Sequence, residues 1–188
     1  MKNSHRESER GFTLTEVCIY TCVLAIVGAA LVSVVLASSR SAAAHDTTAK
    51  VVERNRIALQ RIEREFRKSM TGTTTISGTA KAVSFVATAG FDGTAKISGP
   101  TVTFTFELAA GETLNGVDDN GNGLPDEGWL RRTDSGGGNV IICGDIDVQN
   151  SSFTLNDPGI TIRVTTYGPM RTGNPFRVTK TLDVFPRN

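Results

Sequence analysis

The sequence predicts an α+β chain in which a long N-terminal helix, membrane-spanning over its first half, packs its second half on an antiparallel β-sheet domain. Three observations carry this. An unbroken apolar run extends from Phe12 to Leu36, an amphipathic stripe follows it to Met70, and the rest alternates with period two between turn formers. One helix followed by a run of strands favours a sheet laid on one side of that helix. At 188 residues and 20.0 kDa the chain fits one compact domain with an appendage.

The run FTLTEVCIYTCVLAIVGAALVSVVL holds a single charge, Glu16, and no proline. A helix needs roughly 20 apolar residues to cross a hydrocarbon core about 30 Å thick, so residues 12–36 suffice. A buried core helix of so small a domain would show a polar face, and this segment shows almost none. Cys18 and Cys22 lie inside it at i, i+4 spacing as small hydrophobes, and Cys143 stands alone. Three cysteines in these places do not make a disulfide framework.

Residues 1–11, MKNSHRESERG, are short and polar. A secretory signal would have a 7–15-residue apolar stretch before a small-residue cleavage site, and the stretch before Ser41-Ala42-Ala43-Ala44 is longer than that. Charge counting does not orient the helix. Arg40, Lys50, Arg54 and Arg56 beyond it match the leader cations Lys2, Arg6 and Arg10.

Gly11-Phe12-Thr13-Leu14-Thr15-Glu16, after a short polar leader and opening a long apolar helix, resembles the processing site of type IV prepilins and type II secretion pseudopilins. The resemblance implies cleavage between Gly11 and Phe12 by a prepilin peptidase, then methylation of the Phe12 amine. It also implies the topology: a single-pass protein of the bacterial inner membrane, leader cytoplasmic and C-terminal domain extracytoplasmic, entering a filament of like subunits. In that family the acid matching Glu16 pairs with the N-terminal amine of a neighbouring subunit. Physically, an acid in a membrane helix costs about 2.5–3.5 kcal/mol on insertion scales, so it calls for a partner or for snorkelling to the interface. The helix start, four residues back, would add a favourable dipole end.

Residues 37–70 read as the continuation of the helix. Residues 37–49 are rich in Ser, Ala and Thr, helical or frayed. From Lys50 onward Val51, Val52, Leu59, Ile62, Phe66 and Met70 form one apolar stripe, with Glu63 and Arg67 at the favourable i, i+4 spacing on the polar side. A long helix under a sheet also matches the pilin fold. Residues 71–188 read as β-rich. A Gly/Thr connector at 71–80 leads to strands around Val83–Ala87, Thr101–Phe106, Trp129–Thr133, Val140–Cys143, Ile160–Tyr167 and Phe176–Val184. The connector Gly168–Pro175 carries Gly-Pro and Gly-Asn-Pro turn formers. Strand order, Leu-Arg-Arg before a glycine-rich turn and the closing strand resemble the J-type minor pseudopilins and W-type minor pilins.

Residues 115–128 hold the remaining candidate chemistry. Asp118, Asn120 and Asn122 with Gly123 at the sixth place match the opening of a D-x-[DN]-x-[DN]-G calcium loop. Alternating short oxygen-bearing side chains can wrap a hard cation at 2.3–2.6 Å, Leu124 would offer its carbonyl, and Asp126 or Glu127 would complete the shell. Trp129 occupies the twelfth place, where an EF-hand has a bidentate glutamate, and the flanks read as strand and loop. The loop is similar instead to those of thrombospondin type 3 and dockerin-like repeats, in single copy. A plain Asn/Gly/Asp turn is the other reading of these residues.

A net charge of +1 argues against nucleic-acid binding by bulk attraction. No G-x-S-x-G, H-E-x-x-H or phosphate loop occurs, and His5 and His45 lack metal-spaced partners, so no enzyme is expected. The expected function is a minor pilin or pseudopilin, at or near the tip of a secretion pseudopilus or type IV pilus. The alternative is a membrane-anchored surface-binding module (adhesin or substrate recognition) with a calcium-ordered loop. The acid at Glu16 favours the first, since K-type tip pseudopilins usually lack it; an exposed aromatic patch near Trp129 would favour the second.

Overall fold

The computed structural model describes residues 13–168 and 175–187. Helix α1 (Leu14–Phe66) is followed by strands β1 (Thr75–Ile76), β2 (Ala82–Phe91), β3 (Lys96–Leu108), β4 (Glu127–Asp134), β5 (Asn139–Asp147), β6 (Ser152–Asn156), β7 (Gly159–Tyr167) and β8 (Arg177–Val184). The chain is an α+β arrangement of a long N-terminal helix and an eight-stranded antiparallel sheet. It divides into two compact units, Met1–His45 and Asp46–Asn188.

In the first unit the described residues belong almost wholly to α1. Large apolar side chains from Leu14 and Val17 through Ile26 and Leu31 to Leu36 are all exposed, and this part is long and apolar enough to cross a membrane. Three of its hydroxyls are satisfied within the helix. Thr21 Oγ1 donates to the Val17 carbonyl at 3.0 Å, and Ser33 and Ser39 donate to Ala30 and Leu36 at 2.7 and 3.0 Å. Such back-bonding removes the cost of a bare polar group in hydrocarbon.

In the second unit the stripe read from spacing is the buried face of α1. Val52 and Met70 are only half-buried, while Val51, Leu59, Ile62 and Phe66 are buried and Ala58 joins them. They meet the inward residues of β2, β3 and β7, where Phe66 packs edge-on to Phe85 at 5.2 Å and Phe85 stacks on Phe104 at 6.1 Å. Each such aromatic pair adds about 0.5–1.5 kcal/mol beyond its buried area. The helix stops at Phe66, short of Met70, because the backbone beyond it turns into strand pairing: Met70 N–H donates to Val86 O at 2.9 Å and Thr88 N–H to Lys68 O at 2.8 Å.

Strand order is β1-β2-β3-β4-β5-β7-β6, with β8 on the other edge of β7. The sheet curls, so that Phe153 of β6 donates its N–H to Ala80 O beside β2 at 2.8 Å and stacks its ring on Phe106 of β3 at 4.7 Å. Strand β8 is tied to α1 by Asn55, wholly buried, whose Nδ2 donates to Val178 O at 2.9 Å.

Arg132 of β4 joins helix to sheet. Its Nε lies 2.6 Å from Glu65 of α1 and its Nη1 2.5 Å from Asp134, all three side chains being mostly buried. The Arg132 hydrogen bond holds the Asp134 carboxyl below its usual range. Arg132→Met would leave Glu65 only its 3.8 Å contact with Arg61 and Asp134 only the N–H groups of Gly136 and Gly138, and is expected to lower the stability of the unit. The check is a lowered urea midpoint at unchanged slope.

Candidate assembly helix and cation loop

Glu16 lies in the first turn of α1, two residues past its start rather than four. Thr13 and Glu16 form a reciprocal capping box. Thr13 Oγ1 accepts the Glu16 N–H at 3.3 Å, while Glu16 Oε2 accepts the Thr13 N–H at 3.3 Å. Two otherwise orphaned donors of the helix end are thereby met, and the carboxylate sits at the positive end of the helix dipole. Both side chains are exposed. Gly11 and Phe12 lie outside the described residues.

The loop between β3 and β4 is organised by carboxylates. Five of them, and no lysine or arginine, fall between Ala109 and Gly128. Asp118 Oδ1 accepts the N–H groups of Gly121 and Asn122 at 2.7 and 3.1 Å, and its Oδ2 accepts that of Gly123 at 2.5 Å. Gly121 and Gly123 take φ of 77° and 90°, which side chains rarely adopt, so the turn needs glycine there. Asn120 Oδ1 and Asn122 Oδ1 accept the N–H two residues onward, at 3.0 and 2.8 Å. Their Nδ2 groups converge on Glu127 Oε1 at 2.7 and 2.5 Å. Leu124 is half-buried and, with Asn122, lines a groove of about 400 Å³ beside Lys50, Arg54 and Tyr167.

The two acids offered for the end of the loop differ in environment. Asp126 is buried, with φ of 50°; its Oδ1 accepts the Asn115 N–H at 2.8 Å, and it lies in the field of Lys81 and Arg177. Glu127 is 6% exposed, and its Oε2 is buried without a hydrogen-bond partner. Among the described residues no group of three or more His, Cys, Asp and Glu side chains is gathered so as to hold a metal by those groups alone.

Three residues outside the sequence motif build the loop's base. Glu112 is buried and bridges the loop, Oε1 accepting the Asn120 N–H and Oε2 the Asp126 N–H, each at 3.0 Å. Asp119 accepts from both the N–H and the hydroxyl of Thr113, and that hydroxyl chiefly holds its carboxyl below the usual range. Lys81 Nζ donates to the carbonyls of Val148, Gln149 and Ser151 at 2.6, 3.0 and 2.6 Å; burial lowers its pKa. Only the density of acids around the motif could have signalled Glu112 in the sequence.

Trp129 does not form an exposed aromatic patch. It is half-buried on β4, and its indole N–H donates to Glu107 at 2.8 Å. Cys143 is buried on β5, and desolvation pushes its thiol up to about 11, which leaves it a poor nucleophile. Compared with protein-family models, curated proteins and solved structures, the chain finds no match.

Proposed function

We propose that the chain is a prepilin-type filament subunit: a membrane-anchored precursor cut between Gly11 and Phe12 and then assembled, through α1, into a secretion pseudopilus or type IV pilus as a minor component. One observation carries the reading. The sequence Gly11-Phe12-Thr13-Leu14-Thr15-Glu16 stands at the start of an exposed apolar segment, residues 14–36 of α1, whose only acid is held in the first turn by Thr13. An apolar surface that long is at home in hydrocarbon before assembly, and against the same helix of other subunits after it. The amphipathic half of α1 would stay with the sheet as the extracytoplasmic domain. The surface-binding alternative receives no support at Trp129, whose ring is engaged within the sheet.

Co-expression with a prepilin peptidase tests the first step. Intact-mass measurement is expected to show loss of the 11 leader residues and one added methyl group on Phe12. Gly11→Val, which puts a branched side chain at the cut, is expected to leave the full-length chain uncut. An unprocessed wild-type chain in the presence of an active peptidase would sink the proposal.

A further inference from the structure

We infer that the β3–β4 loop is a calcium site in which Glu127, not Asp126, supplies the closing carboxylate, with Asp118, Asn120 and Asn122 as the other side-chain donors. The inference is independent of how the N-terminus is processed. Its first ground is the buried, unpartnered Oε2 of Glu127. A carboxylate taken out of water with one oxygen bare is costly unless a cation or donor meets it. Glu127 is also turned into the loop, since its other oxygen touches the side-chain amides of both Asn120 and Asn122.

The second ground is the convergence itself. The side-chain amides at places three and five of the motif both reach Glu127, and Asp118 at place one folds the turn that carries them. Asn120 Oδ1 and Asn122 Oδ1 each accept one N–H and keep a second lone pair, so both carboxamides can offer an oxygen to an ion without giving up the turn. Asp118 keeps one unused lone pair, on Oδ2, beyond the three N–H groups it accepts. Two carboxylates and two carboxamides are hard oxygen donors, which suits calcium, and the glycine-rich turn gives the adaptable geometry that magnesium does not favour.

The remaining acids have other work. Glu112 is spent on two backbone N–H groups and Asp126 on the Asn115 N–H. This assignment accounts for Trp129 at the twelfth place of the motif. The bidentate function of an EF-hand glutamate moves two residues earlier, to the first residue of β4, where the sheet rather than a second helix holds it.

The test uses the full chain in detergent, stripped of metal, and calcium alone as titrant. Calorimetry is expected to give one calcium per chain, with a dissociation constant between about 10⁻⁶ and 10⁻³ M. At calcium about a hundredfold above that constant, the unfolding midpoint should rise by roughly 5–10 °C. Glu127→Gln should bind calcium at least about tenfold more weakly, because ligand charge sets affinity in such loops. Without calcium, the same variant should melt no lower than wild type, because the buried charge is gone. Asn122→Ala, at an exposed position, should weaken binding too, and it serves if Glu127→Gln does not fold. Three results would overturn the inference: neither heat nor a midpoint shift at millimolar calcium, wild-type affinity in folded Glu127→Gln or, should it not fold, in Asn122→Ala, or magnesium binding as tightly as calcium.

Discussion

Gly128→Ala is expected to destabilise the sheet-bearing unit by about 3 kcal/mol, the upper end of what overpacking usually costs. Gly128 sits in the middle of three strands, opposite Leu108 of β3 and Ile146 of β5, beside an irregularity in the β4–β5 register. A Cβ built there would lie 1.8 Å from the Glu107 carbonyl oxygen and 2.8 Å from Val148 Cγ2. The first of these atoms is backbone, so no rotamer change relieves it, and β3 and β4 must move apart. For a unit of this size the loss should lower the midpoint by roughly 6–12 °C. Gly144→Ala is the control, since nothing lies within 4 Å of its added Cβ. It should stay within about 0.5 kcal/mol of wild type. Because Gly128 follows Glu127 directly, its substitution should also weaken the calcium response, which Gly144→Ala should leave intact. A Gly128→Ala protein melting with wild type would show that the close approach of β3 and β4 is slack.

How much of this was legible depends on how local the cause is. The buried face of α1 could be read because its apolar residues recur at helical spacing, and β3, β7 and β8 because theirs alternate. Strand β6 could not. Ser152–Asn156 holds only Phe153 and Leu155 among polar neighbours, one wholly buried and one exposed, and its pairing with Arg163–Gly159 is what makes it a strand. The reading of Val83–Ala87 fell short of β2, which continues to Phe91. Its register shifts between Val86 and Gly90, and a shift erases the period-two signal on which the reading depended. The helix end at Phe66 is likewise set from a distance, by hydrogen bonds to β2.

The candidate loop divides in the same way. Spacing alone singled out Asp118, Asn120 and Asn122, because Asx turns and glycine φ values are local. It could not choose between Asp126 and Glu127, which are adjacent and chemically alike. Their difference lies in partners brought from elsewhere: Asn115 and the field of Lys81 for one, an empty buried oxygen for the other. Buried polar residues such as Asn55 and Glu112 were silent for the same reason, Asn55 meeting a carbonyl 123 residues away.

Removing the charge of Glu16 is expected to block assembly while sparing the subunit, and two substitutions separate the causes. Glu16 does two things that a single alanine variant would confuse. It completes a capping box with Thr13, and it carries the only charge of the apolar segment. Glutamine at this place preserves a capping box but not the charge. Alanine at this place removes only half of the box, since Thr13 Oγ1 still accepts the residue-16 N–H, and losing even a whole N-cap costs about 1 kcal/mol. An unpaired acid in a membrane helix costs about 2.5–3.5 kcal/mol, so pairing it with a new N-terminal amine recovers a term of that size. At 1.4 kcal/mol per tenfold, the charge should matter roughly a hundredfold and the cap less than tenfold. Glu16→Gln and Glu16→Ala are therefore both expected to be cut after Gly11 and to accumulate in the membrane. Both should be depleted from sheared filaments by tenfold or more, as read by quantitative immunoblot against the membrane pool. Should Glu16→Gln assemble as wild type while Glu16→Ala fails, the residue acts as a helix cap and the pairing role is wrong. If both enter filaments normally, the acid has no part in assembly, and the resemblance at the Gly11–Phe12 junction would reach no further than processing.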